Sequence, residues 1–143
     1  MAVPPALADV ALLLGRVLLG VILIAHGWQK LFQNGVKGTA AFFDQSGVPM
    51  PTLSAWFAGI VELVGGTALV LGVAVPVVAA LIVLDMLGAY LFVHVGQGLF
   101  VDKGGFELVG ALAAGCLLLI AIGAGRYSID HALLGRRRVP VRA

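Results

Sequence analysis

Four long apolar runs, separated by short polar segments, constrain the fold of this chain more than any other feature. They lie at about residues 10–31, 53–72, 74–95 and 106–125. Each is close to the roughly 20 residues that an α-helix needs to cross a bilayer. The sequence therefore predicts an all-α polytopic membrane protein, a four-transmembrane-helix bundle that forms a single domain over residues 1–143.

The composition excludes several other classes of protein. Hydrophobic residues make up 61% of the 143 residues and charged residues only 11%, whereas about 25% of the residues in an ordinary soluble domain are charged. A soluble domain of this size could not hide so much apolar surface from water. A soluble enzyme, a disordered tail, a coiled coil and a disulfide-stapled secreted domain are therefore excluded. The single cysteine, Cys116, can form neither an internal disulfide nor a C-x-x-C redox pair, so we expect it to be a packing residue.

The polar segments between the runs predict how the spans are connected. Residues 33–54 contain Gly and Pro breakers, and residues 39–44 within them predict a short interfacial or re-entrant helix. Only a few residues separate the second and third spans, so these helices should be antiparallel neighbours. No Lys or Arg precedes the first run, which favours a retained span over a cleaved signal peptide.

The distribution of Lys and Arg predicts the orientation in the membrane. With four spans, both termini lie on the same side, and that side holds the basic tail at residues 126–143. Its arginines are Arg126, Arg136, Arg137, Arg138 and Arg142, whereas the opposite side holds Lys30, Lys37 and Lys103. The positive-inside rule then places both termini in the cytoplasm. We interpret the basic tail as a topology signal that also attracts anionic lipid headgroups, and we predict no nucleic-acid partner.

Ionisable residues inside the spans are the most informative positions, because each costs roughly 2.5–3.5 kcal/mol near the middle of a spanning helix. They are Arg16, His26, Lys30, Glu62, Asp85, His94 and Glu107. The helical rise per residue places Glu62 and Asp85 near the midplane and most of the others in the outer half. Asp85 and His94 are nine residues apart, about half a turn out of phase, so a straight helix cannot direct both to one centre.

Three hypotheses explain these residues. In the first, they are structural and pair across helices to fix the register of the bundle. Arg16 would then pair with Asp85 or Glu62, and Lys30 with Glu107. Small residues beside Glu62 and beside Glu107 indicate that both glutamates face the bundle interior.

The second hypothesis is a binding site for a quinone-like headgroup in the outer half of the bilayer. His26 and His94 would exchange hydrogen bonds and protons with it, and Glu62 and Glu107 would carry protons. The third is that His26 and His94 bind a metal ion or haem. A transport pathway is a further alternative.

Several short motifs, in their order and spacing, resemble the DoxX family of small four-span bacterial membrane proteins. They are GR at 15–16, HGWQKL at 26–31, GVP at 47–49, GIVELVGG at 59–66, LG at 71–72, Met86, His94, Glu107 and GRYSID at 125–130. The resemblance covers about residues 10–131. Asp85 does not belong to the family pattern.

The resemblance implies a bacterial plasma-membrane subunit of a redox assembly that is quinone-associated and linked to oxidative stress or respiration. Its polar, cofactor-binding core would be Arg16, His26, Lys30, Glu62, His94 and Glu107, with His26, Glu62, His94 and Glu107 as catalytic candidates. Partners would be other membrane or membrane-associated redox proteins, or a second copy of the chain. The sequence contains no nucleotide-binding loop or cysteine cluster, so we do not expect catalysis by this chain alone. A non-catalytic scaffold and a small-molecule or ion carrier are the alternatives.

Overall fold

The computed structural model describes residues 3–135, and the regular structure of those residues is entirely helical. The elements are α1 (Pro5–Trp28), which continues into a π-helical turn (Gln29–Gln33); α2 (Gly35–Gln45); α3 (Pro51–Leu71); α4 (Val75–Ala89), which continues into a second π-helical turn (Tyr90–His94); a 3₁₀ turn (Val101–Lys103); α5 (Glu107–Ile122); and α6 (Ile129–Leu134). The predicted all-α class is confirmed. Arg136, Arg137, Arg138 and Arg142 of the basic tail, which were predicted to lie in the cytoplasm, are outside the described residues.

The long apolar helices match the predicted spans. Pro5–Gln33, Pro51–Leu71 and Val75–His94 are each long and apolar enough to cross a membrane. The fourth, α5, is apolar but has only 16 residues, a length of roughly 24 Å. It ends before the predicted residue 125 because Gly123, at φ 88°, leaves the helical conformation.

The closest helix packing joins α1 to α3, and glycines make it possible. A Cβ atom added at Gly27 would lie 2.4 Å from the backbone nitrogen of Leu63, and one added at Gly20 would lie 2.5 Å from the carbonyl oxygen of Gly66. Small residues let membrane helices approach in this way. The contacts run in opposite directions along the two helices, so α1 and α3 are antiparallel and Glu62 of α3 lies against α1.

The core of the bundle is apolar, and so is much of its outer surface. Nine buried residues form the core: Leu23, Leu69, Val75, Ala79, Ile82, Met86, Leu112, Cys116 and Leu119. Cys116 is fully buried among them, as expected for a packing residue. Large apolar side chains such as Leu18, Val64 and Leu118 are more than half exposed, which is the surface that a bilayer covers. The chain is therefore a membrane protein in contact with lipid.

Candidate functional site

Polar side chains from α1, α3 and α4 meet in one cavity of about 400 Å³. The cavity lies at the end of the bundle where α1 and α4 finish and α3 begins. Its polar lining residues are His26, Lys30, Ser54, Glu62, Asp85 and His94, and its aromatic ones are Phe42, Phe43, Phe57 and Phe92. Phe42 and Phe43 come from α2, so the predicted short helix between the first two spans forms one wall of the cavity.

An ion pair lies inside this cavity. The Lys30 Nζ atom is 2.7 Å from Oε2 of Glu62, and the exposed fractions of the two side chains are 20% and 5%. The predicted pairing of Lys30 with Glu107 is therefore wrong. Gly27 faces Leu63 across the α1–α3 contact, and this antiparallel register brings Lys30 beside Glu62.

Glu107 bonds to the loop before α5 instead of to Lys30. Its Oε1 atom accepts a hydrogen bond of 2.8 Å from the backbone N–H of Val101, so it fastens the loop that precedes α5. Glu107 is not among the residues that line the cavity, although its neighbour Leu108 is.

The two π-helical turns each carry one polar cavity residue, Lys30 in the first and His94 in the second. The N–H of Asn34 donates to the carbonyl of Gln29, and the N–H of Val95 donates to that of Tyr90, five residues back in both cases. A turn of this width changes the phase of the residues on it, and such turns occur frequently at functional sites. His94, on the second of these turns, lines the same cavity as Asp85.

Hydrogen bonds hold both π-helical turns in place. The Thr39 hydroxyl of α2 donates to the carbonyl oxygen of Lys30 over 2.8 Å, which fixes α2 against the cavity. The Nδ1 atom of His94 lies 2.7 Å from the carbonyl oxygen of Gly104, which orients the imidazole ring.

Asp85 lines the cavity although it does not belong to the family pattern. It is 9% exposed, and it lines the same cavity as Glu62 and Lys30, with which its carboxyl group interacts electrostatically. Its Oδ2 atom is enclosed and has no hydrogen-bond partner among the described residues. The sequence did single out Asp85 as a second acid near the midplane, and depth was the signal that placed it with Glu62.

Arg16 lies at the opposite end of the bundle, so its predicted pairing with Asp85 or Glu62 is wrong. Its guanidinium group is buried, with Nη1 donating to the carbonyl oxygen of Ala124 and Nη2 to that of Tyr127, the latter over 2.6 Å. We call this arrangement the Arg16 clamp. It joins the first span to the segment after α5, which contains most of the GRYSID motif.

Asp130 of the same motif caps α4. Its Oδ1 and Oδ2 atoms accept hydrogen bonds of 2.7 and 2.9 Å from the backbone N–H groups of Ala74 and Val75. These are N–H groups that the helix itself leaves without partners. Asp130 thus connects the tail to the link between α3 and α4, at the same end of the bundle as the Arg16 clamp.

The structure brings together four of the six predicted core residues: His26, Lys30, Glu62 and His94. Among residues 3–135, no group of three or more His, Cys, Asp or Glu side chains could hold a metal ion. His26 and His94 both line the cavity, and their role as a pair of ligands for a metal or haem stays a prediction.

Comparison with known proteins identifies the family. The family model described as DoxX matches residues 11–95. The chain belongs to the DoxX family. The matched segment contains all six polar residues of the cavity, and it ends before Glu107.

Several relatives of this DoxX protein are named as membrane proteins. It is 30% identical to an uncharacterised membrane protein of Mycobacterium tuberculosis, over 85% of this chain and 80% of that protein. It is 32% identical to the inner membrane protein YqjF of Escherichia coli, over 89% and 95%. A Bacillus subtilis protein named "Putative oxidoreductase CatD" is 36% identical over 59% of this chain and 60% of its own length. No solved structure matches.

Proposed function

We propose that this chain is a membrane subunit of a bacterial redox assembly and that its cavity binds the headgroup of a quinone. The observation that carries the proposal is the lining of the cavity, where aromatic and aliphatic walls surround a few convergent polar groups. Sites for small amphipathic molecules have this composition, and a volume of about 400 Å³ is within their usual range.

The chemistry of the lining fits a quinone. The ring of a quinone has apolar faces, which Phe42, Phe43 and Phe57 can contact, and two oxygen atoms at its edges. Lys30 and the imidazole of His26 carry N–H groups that can donate hydrogen bonds to such oxygens. A bound quinone supplies two-electron, two-proton redox chemistry, and the residues of this chain bind, orient and shield it.

The name of one relative supports the redox part of the proposal. The Bacillus subtilis relative is named as an oxidoreductase, and its similarity extends over 59% of this chain. The sequence carries no cysteine cluster or nucleotide-binding loop, so electrons would come from a membrane or membrane-associated partner. We place the assembly in the bacterial plasma membrane, in keeping with the inner membrane relatives, with both termini in the cytoplasm.

Binding of a short-chain quinone to the purified protein in detergent tests the proposal. We expect saturable binding by calorimetry, and about two- to tenfold weaker binding for His26→Ala and for His94→Ala, because loss of a good hydrogen bond is worth roughly 0.5–1.5 kcal/mol. His131→Ala is the matched control, since His131 lies on α6 and does not line the cavity. Absence of binding, or equal binding by all three variants, would overturn the proposal.

A non-catalytic scaffold is the second candidate, and the Arg16 clamp favours it. This clamp and the Asp130 cap show that part of the polar content of the chain holds helices together. Under this alternative, His26→Ala would lower the thermal stability of the protein and the yield of the assembled complex. Under the quinone proposal, it would weaken ligand binding while stability is retained.

A further inference from the structure

Negative charge outnumbers positive charge at the polar end of the cavity. Among the described residues that line it, the acids are Glu62 and Asp85, and Lys30 is the single Lys or Arg. The ion pair of Lys30 with Glu62 neutralises one acid. An ionised Asp85 would then be an uncompensated charge at membrane depth, which is costly.

The surroundings of Asp85 Oδ2 indicate how this cost is avoided. The atom is enclosed by protein and has no hydrogen-bond partner among the described residues, and the side chains of Asp85 and Glu62 line the same cavity and interact electrostatically. Two ionised carboxylates are both acceptors and cannot satisfy each other. When two carboxyl groups occupy one site, a single proton between them removes the repulsion and supplies the missing hydrogen bond.

We infer that Asp85 and Glu62 share one proton, so that Lys30, Glu62 and Asp85 form an electrically neutral proton store in the cavity wall. The other titratable groups that face this store are His26 from α1 and His94 from the second π-helical turn. From α5, the lining residues are the apolar Leu108, Val109 and Leu112. The store does not depend on the quinone proposal, whereas its use to protonate a bound ligand rests on that proposed function.

Infrared difference spectroscopy tests the inference without any ligand. A protonated carboxylic acid has a carbonyl band that is separate from the bands of carboxylates and shifts in D₂O. We expect this band in the wild-type protein at neutral pH and its loss in Asp85→Asn. We also expect its loss in Glu62→Gln, because Lys30 would then face a single carboxylate.

Three further variants complete the test. Lys30→Met should retain the band, because removal of the cation leaves no reason for both acids to ionise. Asp44→Asn, which changes an exposed acid on α2, is the matched control and should also retain it. If Asp85→Asn fails to fold by circular dichroism, Asp85→Glu serves instead, and it should keep the band.

The outcomes separate the two proposals. Absence of the band from the wild-type protein, or its survival in Asp85→Asn, overturns the shared proton, whatever the calorimetry of quinone binding gives. If the band behaves as expected while no quinone binds, the proton store stands and the proposed function fails.

Discussion

Arg16 is the most deeply buried charged residue among those that the structure describes, with 1% of its surface exposed. Its guanidinium group binds backbone carbonyls rather than an acid. The carbonyl groups near the end of a helix have no partners within it, and a planar group with several N–H donors can bind two of them at once. Gly72 leaves the room for this, since a Cβ atom there would lie 2.7 Å from Arg16 Nη1.

The clamp makes a prediction about stability. Arg16→Met should lower the free energy of unfolding by about 1–3 kcal/mol for each carbonyl left without a donor, measured as a lower melting temperature in detergent. Arg126→Met is the matched control and should change little, because Arg126 is exposed. Equal melting temperatures for the two variants would mean that the clamp contributes nothing.

The charged residues of the site could be predicted from the sequence, but their partners could not. Because a charge is unfavourable inside a membrane, Lys30, Glu62 and Asp85 were predicted to be buried in the bundle. The structure places all three in one cavity. Their partners could not be predicted in the same way. Partner choice depends on the register between helices, and nothing in the spacing of Glu107 distinguishes it from Glu62 as a partner of Lys30.

At the scale of elements, the register of α1 against α3 comes from four glycines. At Gly20, Gly27 and Gly66 an added Cβ atom would lie less than 3 Å from the backbone of the opposite helix, and at Gly59 it would meet the side chain of Leu31 in the turn that continues α1. The sequence indicated small residues around Glu62 but did not show which residues of α1 they meet. Close backbone contact fixes the register because a shift along the helix would bring side chains into the same space.

This packing gives a prediction with a close control. Gly27→Ala should destabilise the protein by about 1–3 kcal/mol, the usual cost of overpacking, and should also separate Lys30 from Glu62. Gly15→Ala, on the same helix, meets nothing within 4 Å, and it should leave stability unchanged or slightly higher because Ala favours helix. Thermal unfolding of both variants in the same detergent is the measurement. An equal effect of the two substitutions would contradict the glycine packing.

The π-helical turns are the elements that the sequence did not predict. The segments QKLFQ and YLFVH have the apolar composition of the spans that they extend, and hydrophobic periodicity cannot distinguish a π turn from the last turn of an α-helix. The expectation that Asp85 and His94 point apart followed from regular α-helical geometry. The second π-helical turn, Tyr90–His94, departs from that geometry, so the expectation does not apply to His94.

At the scale of the whole molecule, the bundle has two polar ends with different roles. One end holds the Arg16 clamp and the Asp130 cap, which are made of hydrogen bonds to backbone groups. The other holds the cavity, where side chains converge and α2 forms a wall. This separation explains why Arg16 does not join the other predicted core residues at the cavity, since it belongs to the first end.

The direction in which the two ends face decides which compartment the cavity serves. If the basic tail is cytoplasmic, the Arg16 clamp faces the cytoplasm and the cavity opens in the outer half of the bilayer. Electron donors would then reach a bound quinone through the lipid or from the outer surface. The reverse orientation would place the cavity beside cytoplasmic reductases.

Cysteine labelling in intact cells can establish the orientation, because Cys116 is the single cysteine and is fully buried. In a Cys116→Ala background, Gln97→Cys places a thiol on the exposed loop at the cavity end, and Ala132→Cys places one on the exposed face of α6. An impermeant maleimide should label the Gln97→Cys protein in intact cells and the Ala132→Cys protein only after permeabilisation. The opposite pattern would put both termini outside, and it would require the redox partner of the cavity to be cytoplasmic.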